Sequence, residues 1–134
     1  MRLAHFFPPS RPWTAQSSLP GGDFVYDGVE TLIESTQRTW KFLSNDHAQR
    51  LVRAYGTRVN AVLGKAAGID DLGMRFGADL TAAEVRYLMS KEWALTADDV
   101  LWRRSKLGLR FTPEQTAILD RFMTSGSPAL PANP

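Results

Sequence analysis

The sequence predicts an all-α fold: a compact, bundle-like array of about six short helices. Three observations carry it. Apolar residues recur at helical spacing through the middle of the chain, no run alternates at period two for long enough to make a strand, and three threonines stand where helices begin. At 134 residues without cysteine, the chain is one domain that must hold together by burial alone.

The elements follow in order. Residues 8–22, "PPSRPWTAQSSLPGG", lack periodicity, and proline there pushes the backbone toward extended geometry. This sets a boundary: 1–22 as an N-terminal segment and connector, 23–124 as the helical domain, and 125–134, small and proline-rich, as a disordered tail. Val29, Leu32, Ile33, Thr36 and Trp40 share one face of a first helix; Ala48, Leu51, Val52 and Tyr55 line a second; Val59, Val62, Leu63 and Ala66 a third. The piece "LGMRFGADL" is ambiguous, and Gly73 and Gly77 favour an irregular loop. Val85, Leu88, Met89 and Trp93 mark a fourth helix, Val100, Leu101 and Leu107 a fifth, and Ile118, Leu119 and Phe122 a sixth.

The helix starts share one device. "LTAAEV" at 80–85 returns as "LTADDV" at 95–100. A threonine hydroxyl at the cap accepts from the third backbone N–H of the helix, and an acidic side chain at that third position reaches back to the cap's own N–H. Thr81 with Glu84 fits this box, Thr96 with Asp99 fits it less well for want of a methylene, and Thr112, Pro113 and Gln115 make a third version. Leu80 with Val85, and Leu95 with Val100, have the spacing of a hydrophobic staple. Gly56 and Gly108 stand where C-terminal caps are expected.

Few residues speak for chemistry. With 16 basic and 14 acidic residues the net charge is +2, which demands neither nucleic acid nor an anionic membrane. No apolar run approaches the ~20 residues of a bilayer span. His47 has no second histidine at ligand spacing, and Asp70, Asp71 and Asp79 lack the alternation of a calcium loop, so no metal is expected. "SLPGGDF" has neither the glycine spacing nor the lysine of a phosphate loop and reads as a turn. No catalytic and no cofactor-binding residue is assigned.

The cluster Trp102, Arg103, Arg104, Lys106 and Arg110 has two readings. One is an anion or nucleic-acid patch with an aromatic to stack on. The other is a helix with Asp98 and Asp99 in its first turn and cations in its last, which suits the macrodipole, with Asp99 and Arg103 as an i, i+4 pair. Trp93 falls on the stripe of the fourth helix and is expected in the core or an inter-domain contact. The segment "HAQRLVRAYGTRVNAVLGK" is compatible with a helix-turn-helix offering Arg58, Asn60 and Lys65 to a groove, which makes a free-standing DNA-binding module the alternative function.

At "LPGGDF", "LVRAYGTRVNAVLG", "AEVRYLMSKEWALTADDVLWRRSKLGL" and "TPEQ" the chain resembles the C-terminal helical domain of the FAD-dependent glycerol-3-phosphate dehydrogenases of the aerobic bacterial type. The likeness runs from about Arg2 to about Met123, and Ala83–Leu109 is its most specific part. The resemblance implies a parent enzyme that oxidises glycerol 3-phosphate to dihydroxyacetone phosphate. FAD passes the electrons to quinone at the cytoplasmic face of the membrane, or to oxygen in a related branch. It also implies that the FAD- and substrate-binding parts precede this domain, since no dinucleotide fingerprint occurs here. "RLAHFF" is similar to the tail of a helix that closes the catalytic part. The expectation is therefore a fragment: a cytoplasmic accessory domain, inactive alone, without cofactor of its own. Its partner would be the FAD-binding part of the parent enzyme, or a second copy in a homo-oligomer. The interface residues expected are Trp13, Trp93, Trp102, Arg103 and Arg104, because tryptophan and arginine are enriched at contacts.

Overall fold

A computed structural model describes residues 14–126. Five α-helices surround one core: α1 (Val29–Thr39), α2 (Asn45–Tyr55), α3 (Val59–Leu63), α4 (Ala82–Lys91) and α5 (Pro113–Gly126). A two-stranded antiparallel hairpin, β1 (Arg75–Gly77) with β2 (Leu80–Thr81), sits before α4. The all-α expectation holds for the body of the chain, with five α-helices in place of six.

The periodic faces pack as their spacing requires. α1 lies on α2, α3 on α4, and α5 on β1. Leu51, Leu72, Leu80, Val85, Leu88, Val100, Leu101 and Leu119 are fully buried in one continuous core. Burying a leucine side chain contributes about 2 kcal/mol, so this shared interior, rather than the propensity of such short helices, holds the elements together.

Three expectations change. The piece around Gly77 is the hairpin rather than a loop: Arg75 pairs with Thr81 and Gly77 with Leu80, and Ala78 and Asp79 turn the chain at φ 45° and 66°. The expected fifth helix is two pieces. A π-helical segment, Asp99–Arg104, stops at Ser105, and a 3-10 turn, Leu107–Arg110, follows. Ser105 is extended; its backbone N–H makes the last i, i+5 bond of the segment, to the Val100 carbonyl at 3.1 Å, and its hydroxyl donates to the same oxygen at 2.7 Å. Gly108 accordingly caps no helix. It lies beneath the Trp102 ring, where a Cβ would stand 2.4 Å from the indole. Finally, α4 ends at Lys91, two residues short of Trp93.

Gly56 does cap α2, at φ 55° with its N–H on the Val52 carbonyl. It also meets the connector: the Thr57 N–H donates to the Gly21 carbonyl at 3.1 Å, and a Cβ on Gly56 would lie 1.9 Å from that oxygen. The described end of the connector is thus seated against the α2–α3 junction, and Thr57 donates its hydroxyl proton to the Asp23 carboxylate. The "SLPGG" stretch is a turn, as read, with the Gly22 N–H on the Leu19 carbonyl at 2.8 Å. Residues 1–13 and 127–134 lie outside the described residues; the first two residues of the tail expected at 125–134 belong to α5.

Candidate functional site

The threonine caps diverge in use. Thr96 and Asp99 close their box: the Asp99 N–H donates to Thr96 Oγ1 at 3.2 Å, and Asp99 Oδ2 accepts from the Thr96 and Leu95 N–H groups at 3.0 and 2.9 Å. Thr112 and Gln115 do likewise, at 3.3 and 3.0 Å. At Thr81 only the hydroxyl half exists, accepting from the Glu84 N–H at 3.5 Å. The Glu84 side chain turns inward instead. Its staple residue Leu80 is buried with Val85, whereas Leu95 is exposed and leaves Val100 unstapled.

Inside, Glu84 is the centre of a buried polar cluster and is 1% exposed. Arg50 on α2 grips both of its oxygens, Nη1 to Oε1 and Nη2 to Oε2, each at 2.8 Å. Nη2 also donates to the Asp79 carbonyl at 3.1 Å, and the Tyr55 hydroxyl donates to Oε1 at 2.8 Å. One bidentate pair therefore ties α2, the hairpin turn and α4. Burial, and then the neighbouring Glu84 carboxylate, push the Tyr55 phenol well above its usual range, so it stays a donor. His47, one turn before Arg50, is buried with no partner at Nε2; burial first, then the Arg50 guanidinium, hold its imidazole below the ordinary value.

Above this cluster opens a cleft of about 580 Å³ between α2, the hairpin turn and residues 104–110. Arg50, Arg53, Arg104, Lys106 and Arg110 line it, facing Asp46, Asp79 and Glu84. Arg104 Nε donates to the Glu92 carbonyl at 2.7 Å, and Lys106 Nζ to the Trp102 carbonyl at 2.6 Å. Arg103 turns the other way and pairs with Asp99. The i, i+4 pair of Asp99 and Arg103 forms as its spacing predicts, and Arg104 is held by a backbone oxygen.

Trp93 departs from the core half of its expectation. It is 82% exposed, in neither core nor helix, and its φ is 54°. Trp102 is 42% exposed, packed over Gly108, and Leu95 and Leu109 stand in the open on the same segments. Trp13 lies outside the described residues. Sequence reasoning missed the Arg50–Glu84–Tyr55 cluster. A signal existed: Glu84 stands four residues before Leu88 and thus on the apolar stripe of α4, and Tyr55 lies on that of α2.

A family profile, described as the C-terminal domain of alpha-glycerophosphate oxidase, matches residues 12–128. The chain belongs to this domain family. The domain is 43% identical to the glycerol-3-phosphate dehydrogenase of Pseudomonas aeruginosa, over 97% of this chain and 25% of that protein. It is 38% identical to the D-erythritol 1-phosphate dehydrogenase of Brucella abortus, over 87% of this chain and 23% of that one. The aerobic glycerol-3-phosphate dehydrogenase of Escherichia coli is 35% identical, over 83% and 22%. The chain spans about a quarter of the length of these relatives.

The DNA-binding alternative is not supported. α3 has five residues, about 7.5 Å of helix, too little to lie along a major groove, and Arg58 donates to the Tyr87 hydroxyl at 3.2 Å. Nor do the residues here fit the FAD of the implied parent. A dinucleotide cradle needs parallel strands with a glycine loop opening a helix, and the strands among the described residues form one antiparallel hairpin. No chemical step is assigned through that group. Among the described residues no three ligating side chains gather for a metal; Asp71 caps the turn at Ala67 and Gly68. No helix among them is long and apolar enough to cross a membrane.

Proposed function

We propose that this chain is the non-catalytic accessory domain of a FAD-dependent glycerol-3-phosphate dehydrogenase that delivers electrons to quinone. It packs on the FAD- and substrate-binding part through Trp93, Trp102, Arg103 and Arg104. Alone it turns nothing over. The carrying observation is Trp93. A tryptophan at positive φ costs about 1–2 kcal/mol of backbone strain, a position glycine fills freely, and here the side chain gains no burial in return. Strain of that kind clusters at functional sites, where the surrounding structure holds it. The Ala94 N–H donates back to the Leu88 carbonyl at 3.1 Å and holds the display in place.

The test separates display from stability. Trp93→Gly raises the melting temperature of this chain by a few degrees, because the strain is relieved. In a full-length enzyme carrying the domain the same change lowers it, and Arg103→Ala with Arg104→Ala lowers it further. A rise in both settings, or no effect in the full-length enzyme, would sink the interface. Dye-linked oxidation of glycerol 3-phosphate by this chain alone would sink the non-catalytic reading.

A further inference from the structure

Apart from Arg104, the cations of the basic cleft take no part in the proposed interface. We propose that the cleft between α2 and residues 104–110 binds a phosphomonoester dianion, with Arg53 and Arg110 as its principal ligands.

Charge is the first argument. Arg50 and Glu84 are bonded to each other and cancel. Four cations then remain on the lining, Arg53, Arg104, Lys106 and Arg110, against two carboxylates, Asp46 and Asp79. Arg104 and Lys106 are held by backbone carbonyls, which fix their position without neutralising them. Among the described residues neither Arg53 nor Arg110 forms an ion pair, since the two pairs present are Arg50–Glu84 and Arg103–Asp99. The surplus of two positive charges matches a phosphomonoester at neutral pH, which carries about −1.5 to −2.

Geometry is the second. The four cations come from α2, the π-helical segment, the 3-10 turn and the residue before it, and meet across a concavity. A simply solvated helix face would point its charges outward, away from one another. Guanidinium forks suit phosphate oxygens in pairs, and a lysine adds a point charge. The volume of about 580 Å³ falls in the range of small-molecule sites and exceeds what a bare ion needs.

Preorganisation is the third. Like charges repel, and Arg104 and Lys106 are kept in place by bonds that do not involve a ligand. The Arg50 guanidinium is fixed by Glu84 and the Asp79 carbonyl, which sets the floor. The π-helical segment ends before the extended Ser105, and the chain beyond it sets Lys106 and Arg110 on the same cleft as α2.

The experiment uses this chain with inorganic phosphate as the probe, against chloride at equal ionic strength, read by calorimetry and thermal shift. Saturable binding is expected, weakened at least about tenfold in Arg53→Ala with Arg110→Ala, each lost charge-assisted bond being worth that much. Arg38→Ala with Lys41→Ala, which removes the same charge elsewhere on the surface, leaves it unchanged. A parallel arm measures sedimentation with phosphatidic acid vesicles in a zwitterionic carrier. Binding to vesicles alone, lost in the double variant, assigns the phosphate to a lipid headgroup; binding to free phosphate assigns it to a soluble ester. Three results overturn the proposal: no binding in either arm, equal weakening in both double variants (an adventitious ion only), or binding of an acidic peptide where both phosphate probes fail.

Discussion

The two near-identical phrases, "LTAAEV" and "LTADDV", become different machinery. In the first, Glu84 abandons its cap to hold Arg50 and Tyr55 in the interior, and Leu80 is buried beside it. In the second, Asp99 stays home, closes the cap, takes Arg103, and leaves Leu95 in solvent. The threonine hydroxyl does the same thing in both. What differs is the reach of the acid and what surrounds it. Glutamate, one methylene longer, finds a guanidinium from a helix 34 positions back, and that bond outweighs a local N–H. Aspartate on an open surface has no such offer. The first phrase therefore stabilises through long-range pairing and the second through local satisfaction.

The largest way to break this contrast is Glu84→Ala. It leaves Arg50 mostly buried with a charge and no counterion, and costs about 3 kcal/mol by chemical denaturation. Glu84→Leu with Arg50→Met recovers most of that loss, because removing both charges removes the penalty as well. If the single and double variants were equally unstable, packing around Glu84 rather than its charge would be what matters.

Acid separates the phrases more gently. The Leu95 N–H, and then the Arg103 guanidinium, hold the Asp99 carboxyl down to about 2, below its usual value near 3.9. A carboxyl lowered in the folded state stabilises fully above about pH 4, and that contribution is lost as pH falls through 2. Asp99→Asn flattens this limb of the stability curve. His47 acts at higher pH with the same sign: its base is held below 6.5, so the folded state binds fewer protons and stability drops as pH falls under that value. Urea midpoints between pH 7 and 2 for the parent and Asp99→Asn check the first claim, and His47→Gln checks the second.

Local physics was legible and tertiary physics was not. Thr81, Thr96 and Thr112 announce helix starts because capping involves four adjacent residues. The stripes of α1 and α2 were legible for the same reason. The hairpin was invisible: strands of three and two residues carry no alternation, and its turn uses Ala78 and Asp79 rather than asparagine and glycine. The split at Ser105 is a change from π-helical to extended backbone, which helical spacing cannot register. Trp93 lies in phase with α4 but beyond its end, so of the two places expected for it, core or inter-domain contact, the backbone turns it away from the first. At the site, Arg53 carried no pattern of its own, and Lys106 and Arg110 read as a helix end until folding brought α2 across from them.

The finest test of the comparison is a pair of double-mutant cycles. Thr81→Ala and Thr96→Ala each cost about 1 kcal/mol, since each hydroxyl serves one helical N–H. Their coupling to the acid three residues on should differ. Thr96 and Asp99 satisfy each other's N–H groups, so losing one loosens the other and the cycle leaves about 0.5 kcal/mol. Thr81 bonds only the backbone of Glu84, whose side chain is engaged elsewhere, so Thr81→Ala and Glu84→Gln should add within about 0.3 kcal/mol. Equal coupling in the two cycles would mean that Glu84 returns to its cap part of the time, and that the interior pair with Arg50 is weaker than its geometry implies.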